Sequence, residues 1–309
     1  MNENNQTEVT TNPSPEKNNK KLRIILIVVL VLLIGVFVFA TTMFVIDKVR
    51  SSREDNANRE IVDGVRSQRD QVMQDAETDT GDYPVETDDE GEVVTDSDGR
   101  ARRKYKLSPG YYGPSGVLKW LEEPLGENKY LAGWLIIDGT YIDYPVVYTP
   151  FDLDYYLRRS FYGGYALSGT LYIGVADWTP EGNYTVIYGH HMKDGTMFSD
   201  LVDYESLDFA RSHPNIRFET LTDIYNYEVV FAINTQVSKS TNSNSFDYYT
   251  MNSLPNEKAF NDYVARARFL SIYDTGVDVR FGDKILVLST CNYHRDDERF
   301  IVIARYREE

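Results

Sequence analysis

Residues 283–291 read DKILVLSTC, and residues 299–305 read RFIVIAR. Each is an aliphatic, largely β-branched run of strand length, and the polar residues between them break the pattern. The pair predicts two buried strands joined by a hairpin-like return. A cysteine ends the first strand, and an arginine heads the second. A thiol at a strand end is anchored by a sheet while still able to face a groove. A guanidinium brought beside it can donate to a developing oxyanion or hold a peptide.

Working outward, residues 133–137, 141–148, 169–175, 184–188, 216–221 and 225–235 are also strand-like, with a tight turn at Asp138-Gly139. The 24 Tyr and 14 Phe suit half-buried strands. Many short strands punctuated by Gly, Asn and Asp predict a mainly β domain, a barrel or a sandwich. Two segments depart from this pattern. After Pro255, the residues Phe260, Tyr263, Val264 and Ala267 fall at i, i+3, i+4 and i+7, one face of a helix. This helix lies in the long connection 235–280, the kind of segment that commonly forms a functional wall or lid. Earlier, Ser115 is expected to cap a short helix through Val117, Leu118, Trp120 and Leu121, stopped by Pro124.

The folded domain so read spans 105–309. Residues 1–19 are polar, without apolar periodicity, and read as a disordered cytoplasmic tail. Residues 24–46 are almost wholly apolar and long enough to cross the roughly 30 Å hydrocarbon core of a bilayer. The apolar run continues past Ala40, which favours an uncleaved signal-anchor over a cleaved signal peptide. Lys17, Lys20, Lys21 and Arg23 precede it and place the N-terminus inside, with the remainder extracytoplasmic. Residues 51–104 read as an acidic linker, helical in part, with a thin apolar stripe at Ile61, Val62, Val65, Val72 and Met73. Between Asp75 and Asp98 there are 11 acidic residues and no Lys or Arg. Asp96-Ser97-Asp98-Gly99 lacks the remaining ligands of a calcium loop and reads as linker too.

The net charge of −16 over 309 residues excludes nucleic acid as the main partner. A single cysteine excludes a disulfide within the chain. A lone cysteine is more often an inert core residue than a nucleophile, and attack requires thiolate, so Cys291 needs a partner. One is offered by residues 184–191, YTVIYGHH, where another strand ends at a glycine and two histidines. A strand-end imidazole can exchange protons with nucleophile and leaving group. Adjacent histidines on an extended chain point in opposite directions, and no His-x3-His or Cys-x2-Cys spacing occurs, so no metal is expected.

The strand ending in Ser289-Thr290-Cys291, the Tyr188-Gly189-His190 turn and Arg299 at the head of the last strand resemble the catalytic signature of sortases. The likeness is closest to class B. It extends to Gly133-Trp134-Leu135, to Ile142-Asp143-Tyr144-Pro145-Val146-Val147, to Asp154-Tyr155-Tyr156-Leu157-Arg158-Arg159 and to the run from His190 to Phe198, and so covers residues 131–305. The resemblance implies an eight-stranded sortase-type β-barrel with an N-terminal helix and a helix in the long connection before the cysteine strand. It further implies that Cys291 is the nucleophile, His190 rather than His191 the catalytic histidine, and Arg299 the essential arginine. Leu157, Tyr188, Ser289 and Thr290 would line the substrate groove. No cofactor is implied. Leu153 departs from the family pattern, where an asparagine often stands, as does the sequence after Leu171.

The implied partners are secreted proteins with a C-terminal sorting signal, Asn-Pro-x-Thr in kind, and an amine of the peptidoglycan precursor. Within the family, a Leu-Pro-x-Thr-Gly specificity or pilin polymerisation is the alternative. From other classes, an inactive surface-anchored binding module and a hydrolytic cysteine peptidase remain as rivals.

Overall fold

Eight strands close into a barrel in the order β1-β2-β3-β4-β7-β8-β6-β5. They are β1 (Leu131–Ile136), β2 (Asp143–Val147), β3 (Leu171–Ile173), β4 (Tyr184–Tyr188), β5 (Asn215–Thr220), β6 (Ile224–Gln236), β7 (Lys284–Cys291) and β8 (Glu298–Tyr306). The computed structural model describes residues 15–76, 107–236, 245–291 and 298–307, which form two compact units divided after Ser52. All eight strands read from the sequence are present, with ends shifted by a few residues. Closure leaves no unpaired sheet edge.

Two of the pairings, β2 with β3 and β4 with β7, are parallel, and the others are antiparallel. A parallel neighbour cannot be reached by a tight turn. The chain leaving β4 therefore makes β5 and β6, and then a long connection, before returning as β7. That connection carries helix α4 (Glu257–Leu270), capped by Asn256, whose Oδ1 accepts from the Ala259 N–H at 3.0 Å. Its apolar stripe is the one read from the sequence: Phe260, Tyr263, Val264 and Ala267 are all buried against the main core. Each large apolar side chain so buried contributes about 1.5–3 kcal/mol.

A second apolar cluster lies outside the barrel wall and explains why β1 is buried along its whole length. Leu135 faces the interior, whereas Trp134 and Ile136 are covered by helix α2 (Lys119–Glu127) and by the later part of helix α1 (Pro15–Ala76). Here two sequence expectations are corrected. Ser115 does not cap α2; its hydroxyl donates to Glu122 Oε1 at 2.5 Å, and the helix begins at Lys119. Pro124 does not stop the helix but lies within it. Burial of Trp120, Leu121 and Pro124, together with a 2.8 Å bond from Trp120 Nε1 to Glu219, offsets the lost backbone bond.

The other correction concerns residues 53–76. The sequence assigns them to a linker, but they belong to the same compact unit as the barrel. Val62, Val65 and Val72 are buried, and Arg69 is only 3% exposed. Its guanidinium lies 3.1 Å from Asp143 at the start of β2 and 3.9 Å from Glu219 on β5. Arg66 adds a 2.9 Å contact to Asp143, Trp134 Nε1 donates to the same carboxylate at 2.6 Å, and Arg217 lies 3.2 Å from Glu219. Three buried valines make a thin stripe by themselves; a buried ion network supplies the rest of the docking. Burial pushes the Asp143 carboxyl up, but Arg69, with Trp134 and Arg66, outweighs it, so its pKa lies below the usual range. At Glu219 burial prevails over Arg69, Arg217 and Trp120, and the pKa is raised.

In the N-terminal unit the apolar part of α1, from Asn19 to Ile46, is long and apolar enough to cross a membrane. Its large apolar side chains from Leu22 to Ile46 are all exposed. The N-terminal tail to residue 14 and residues 77–106, with the acidic stretch and the 96–99 segment, lie outside the described residues.

Candidate active site

The barrel register brings the three candidate catalytic positions to one end. In the parallel β4–β7 pair, Tyr184 is opposite Ile285 and Tyr188 is opposite Ser289, and Gly189 N–H donates to Ser289 O at 3.1 Å. His190 and Cys291 are therefore each two residues beyond the last matched pair. Parallel strands share their direction, so both chains reach this rim with their C-terminal ends. In the antiparallel β7–β8 pair, Cys291 is directly opposite Arg299. The structure places Cys291 by its backbone and register at the last rung of β7.

A groove of about 440 Å³ opens at this rim. Leu157, Tyr188, Ser289 and Thr290 all line it, together with His190 and Arg299. Six of the seven candidate site residues thus line one groove, and the backbone register sets Cys291 at the strand end beside Arg299. Ser289 is fully buried, and its hydroxyl shares a 2.8 Å hydrogen bond with the Tyr248 hydroxyl. The Thr290 hydroxyl oxygen is buried without a hydrogen-bond partner among the described residues. Tyr188 stacks on Tyr172 with centroids 5.4 Å apart and lies 6.3 Å from Tyr248. Burial, then the neighbouring tyrosines, raises its phenol pKa far above 10, so it remains neutral.

His190 is half-buried, and its Nε2 lies 2.8 Å from the Leu157 carbonyl oxygen. A carbonyl only accepts, so Nε2 carries hydrogen, and in the neutral ring Nδ1 is the bare nitrogen. Burial lowers the imidazole pKa; the Leu157 bond opposes this, and the charges of Arg158 and Arg299 add to it. The net direction is below 6.5, which favours neutral imidazole in the free protein. Arg299 Nη1 donates to the Glu298 carbonyl at 3.0 Å. Arg305, towards the other end of β8, pairs with Glu228 at 2.6 Å and lies outside the groove lining.

Several groove residues carry no obvious signal in the sequence. Tyr248 and Tyr249 come from the stretch between β6 and α4, so the long connection does form a wall, through these tyrosines rather than through its helix. Asp154 accepts from the Tyr172 hydroxyl at 3.1 Å and brings a carboxylate into the groove beside Leu153. Gly174 makes room for Tyr188: a Cβ there would meet the Tyr188 ring at 2.2 Å. For Tyr248 and Tyr249 the hint in the sequence is compositional: with Phe246 they are aromatic residues inside a largely polar segment.

Comparison with known proteins agrees with this arrangement. The sortase domain family matches residues 137–307. Sortase B of Listeria monocytogenes is 35% identical over 177 residues, 56% of this chain and 67% of the relative. A solved structure of sortase B from Listeria monocytogenes superposes with a TM-score of 0.51 at 31% identity, covering 59% of this chain and 97% of the other. A Staphylococcus aureus sortase B–substrate complex gives a TM-score of 0.55 at 26% identity, covering 62% and 86%. The chain belongs to the sortase family of cysteine transpeptidases, in its class B.

Proposed function

We propose that this chain is a membrane-anchored sortase that cleaves a C-terminal sorting signal of a secreted protein and joins the new carboxyl end to an amine of the peptidoglycan precursor. The observation that supports this reading is the register that brings the backbone of residues 190, 291 and 299 to one rim, where His190 and Arg299 line a groove. The apolar part of α1 is the anchor, uncleaved, with the N-terminus inside and the barrel outside. The preferred signal is Asn-Pro-x-Thr in kind. The neutral, aromatic groove floor of Tyr172, Tyr188 and Tyr248 suits a proline-containing peptide held extended.

In the first step His190 imidazole takes the Cys291 thiol proton, the thiolate attacks the threonine carbonyl carbon, the C–N bond breaks, and the imidazolium so formed gives that proton to the departing amine. In the second, an acceptor amine attacks the thioacyl carbon, the C–S bond breaks, thiolate leaves, and His190 takes the amine proton. Arg299 stabilises the oxyanion that develops in both steps. Support for a peptide ligand comes from the relative solved as a sortase B–substrate complex.

The test is incubation of the full-length protein in detergent with quenched peptides of the Asn-Pro-x-Thr and Leu-Pro-x-Thr series, with and without an amine acceptor. Ligated product and a thioacyl adduct seen by mass spectrometry, both lost in Cys291→Ala, are expected. Cleavage to acid alone, whatever amine is supplied, would instead indicate a peptidase, and no cleavage of any member would indicate a binding module.

A further inference from the structure

Beside the groove lies a second cavity of about 420 Å³, within the size range of small-ligand pockets. It is bounded by Arg59, Val62 and Arg66 of α1, by Asp143 and Tyr144 at the start of β2, and by residues 194–197 after β4. It shares no lining residue with the first groove, yet the wall between them is thin. Ser168 lines one cavity and Thr170 the other. Met197 pairs across an isolated bridge with His191, and the Phe198 N–H donates to the His190 carbonyl at 2.9 Å. One end of this loop carries His190, and the other carries Asp194 and Met197.

We propose that this second cavity seats the amine-bearing substrate, and that this substrate is a peptide carrying carboxylates as well as its nucleophilic amine. The inference rests on the transpeptidase reading above. The acylated peptide fills the first groove, so the acceptor must arrive from outside it, and from the side where His190 can take its proton. The second cavity lies across the loop that bears His190, joined to it by the His191–Met197 bridge and the Phe198–His190 backbone bond. Its chemistry is of mixed sign. Arg66, held at Nε by Asp143 at 2.9 Å and with Nη1 3.8 Å from Asp63, which also lines the cavity, keeps 49% of its side chain exposed, and Arg59 is exposed beside it without an ion pair among the described residues. These guanidinium groups suit carboxylates. Asp194, exposed on the shared loop, attracts an ammonium group towards His190; its Oδ1 is fixed by bonds from Thr196 N and Oγ1 at 3.2 and 2.7 Å. Val62 and Met197 supply apolar contact for the peptide backbone and side chains.

The experiment compares two acceptors on the full-length protein in detergent, with one sorting peptide as acyl donor. Hydroxylamine is too small to touch both the thioacyl carbon and the second cavity. A pentapeptide with a lysine amine and free carboxylates can reach both. In Arg59→Glu, the ratio of the peptide KM to the hydroxylamine KM should rise about tenfold, the loss of one charge-assisted contact. Arg59→Lys should restore part of it, and amidating the peptide carboxylates should produce a similar rise in the unaltered protein. A ratio within twofold of the unaltered value in Arg59→Glu overturns the proposal. If the unaltered protein cleaves no sorting peptide, the transpeptidase reading fails and takes this one with it; if it cleaves and transfers with an unchanged ratio, only the second site fails.

Discussion

Cys291 and Arg299 are direct partners in the antiparallel register of β7 and β8. Eight residues apart in sequence, they are facing neighbours on one rim of the barrel, about 4.5–5.5 Å apart at Cα for such a pair. The parallel β4 brings His190 to the same rim from a segment about a hundred residues earlier.

This relationship makes Arg299 sensitive to geometry as well as charge. Arg299→Lys keeps the charge but loses the planar fork, so kcat is expected to fall by about 10²–10³. Steady-state cleavage of the sorting peptide measures it. A change of less than threefold would remove Arg299 from the oxyanion role.

The lowered pKa of His190 has a defined sign. Since burial depresses it below 6.5, the imidazolium fraction disappears as pH rises through a value under the ordinary one, and near pH 6.5 the ring is mostly neutral. An NMR titration of the His190 ring should give a midpoint below those of exposed histidines. Arg299→Gln should move that midpoint slightly upward, because Arg299 is a lesser contributor than burial. A midpoint at or above 6.5 in the unaltered protein would contradict the buried, Leu157-bonded placement.

Arg69→Met leaves Asp143 and Glu219 buried without their shared cation. A loss of about 1–3 kcal/mol in unfolding free energy is expected, because Arg66 and Arg217 still pair with the two carboxylates while the charge-assisted bonds from Arg69 are gone. Urea denaturation of the protein in detergent measures it. Adding Glu219→Gln should recover part of the loss; a double variant no better than the single would show that charge pairing is not what docks α1 on the barrel.

Gly174→Ala places a methyl group against the Tyr188 ring, which is already stacked on Tyr172. Overpacking of this kind costs about 1–3 kcal/mol. It should also raise KM for the sorting peptide, because Tyr188 forms the groove floor. Unchanged KM with reduced stability would place Tyr188 in a packing role only.

The extent to which this protein was legible in sequence differs by element. Each of the eight strands was visible as a short apolar run, because backbone pairing and burial demand that pattern locally. The stripe of α4 was equally plain. The candidate triad was legible through motifs at strand ends, and the barrel register explains why strand ends are where such residues gather. The apolar span of α1 was fixed by length and composition alone.

Other features depended on partners distant in sequence. Pro124 reads as a helix stop until Trp120 and Glu219 are seen to hold its helix. Residues 53–76 read as linker because five sparse apolar positions make a weak stripe, and the decisive contribution is Arg69 between carboxylates on β2 and β5. The Tyr248 hydroxyl bond to Ser289 and the cavity across the His190 loop likewise arise from the closed barrel. Local sequence determines which segments become strands and helices, since propensity and periodicity are short-range. Which side chains meet, and which charges are buried together, is decided by the register and closure of the barrel.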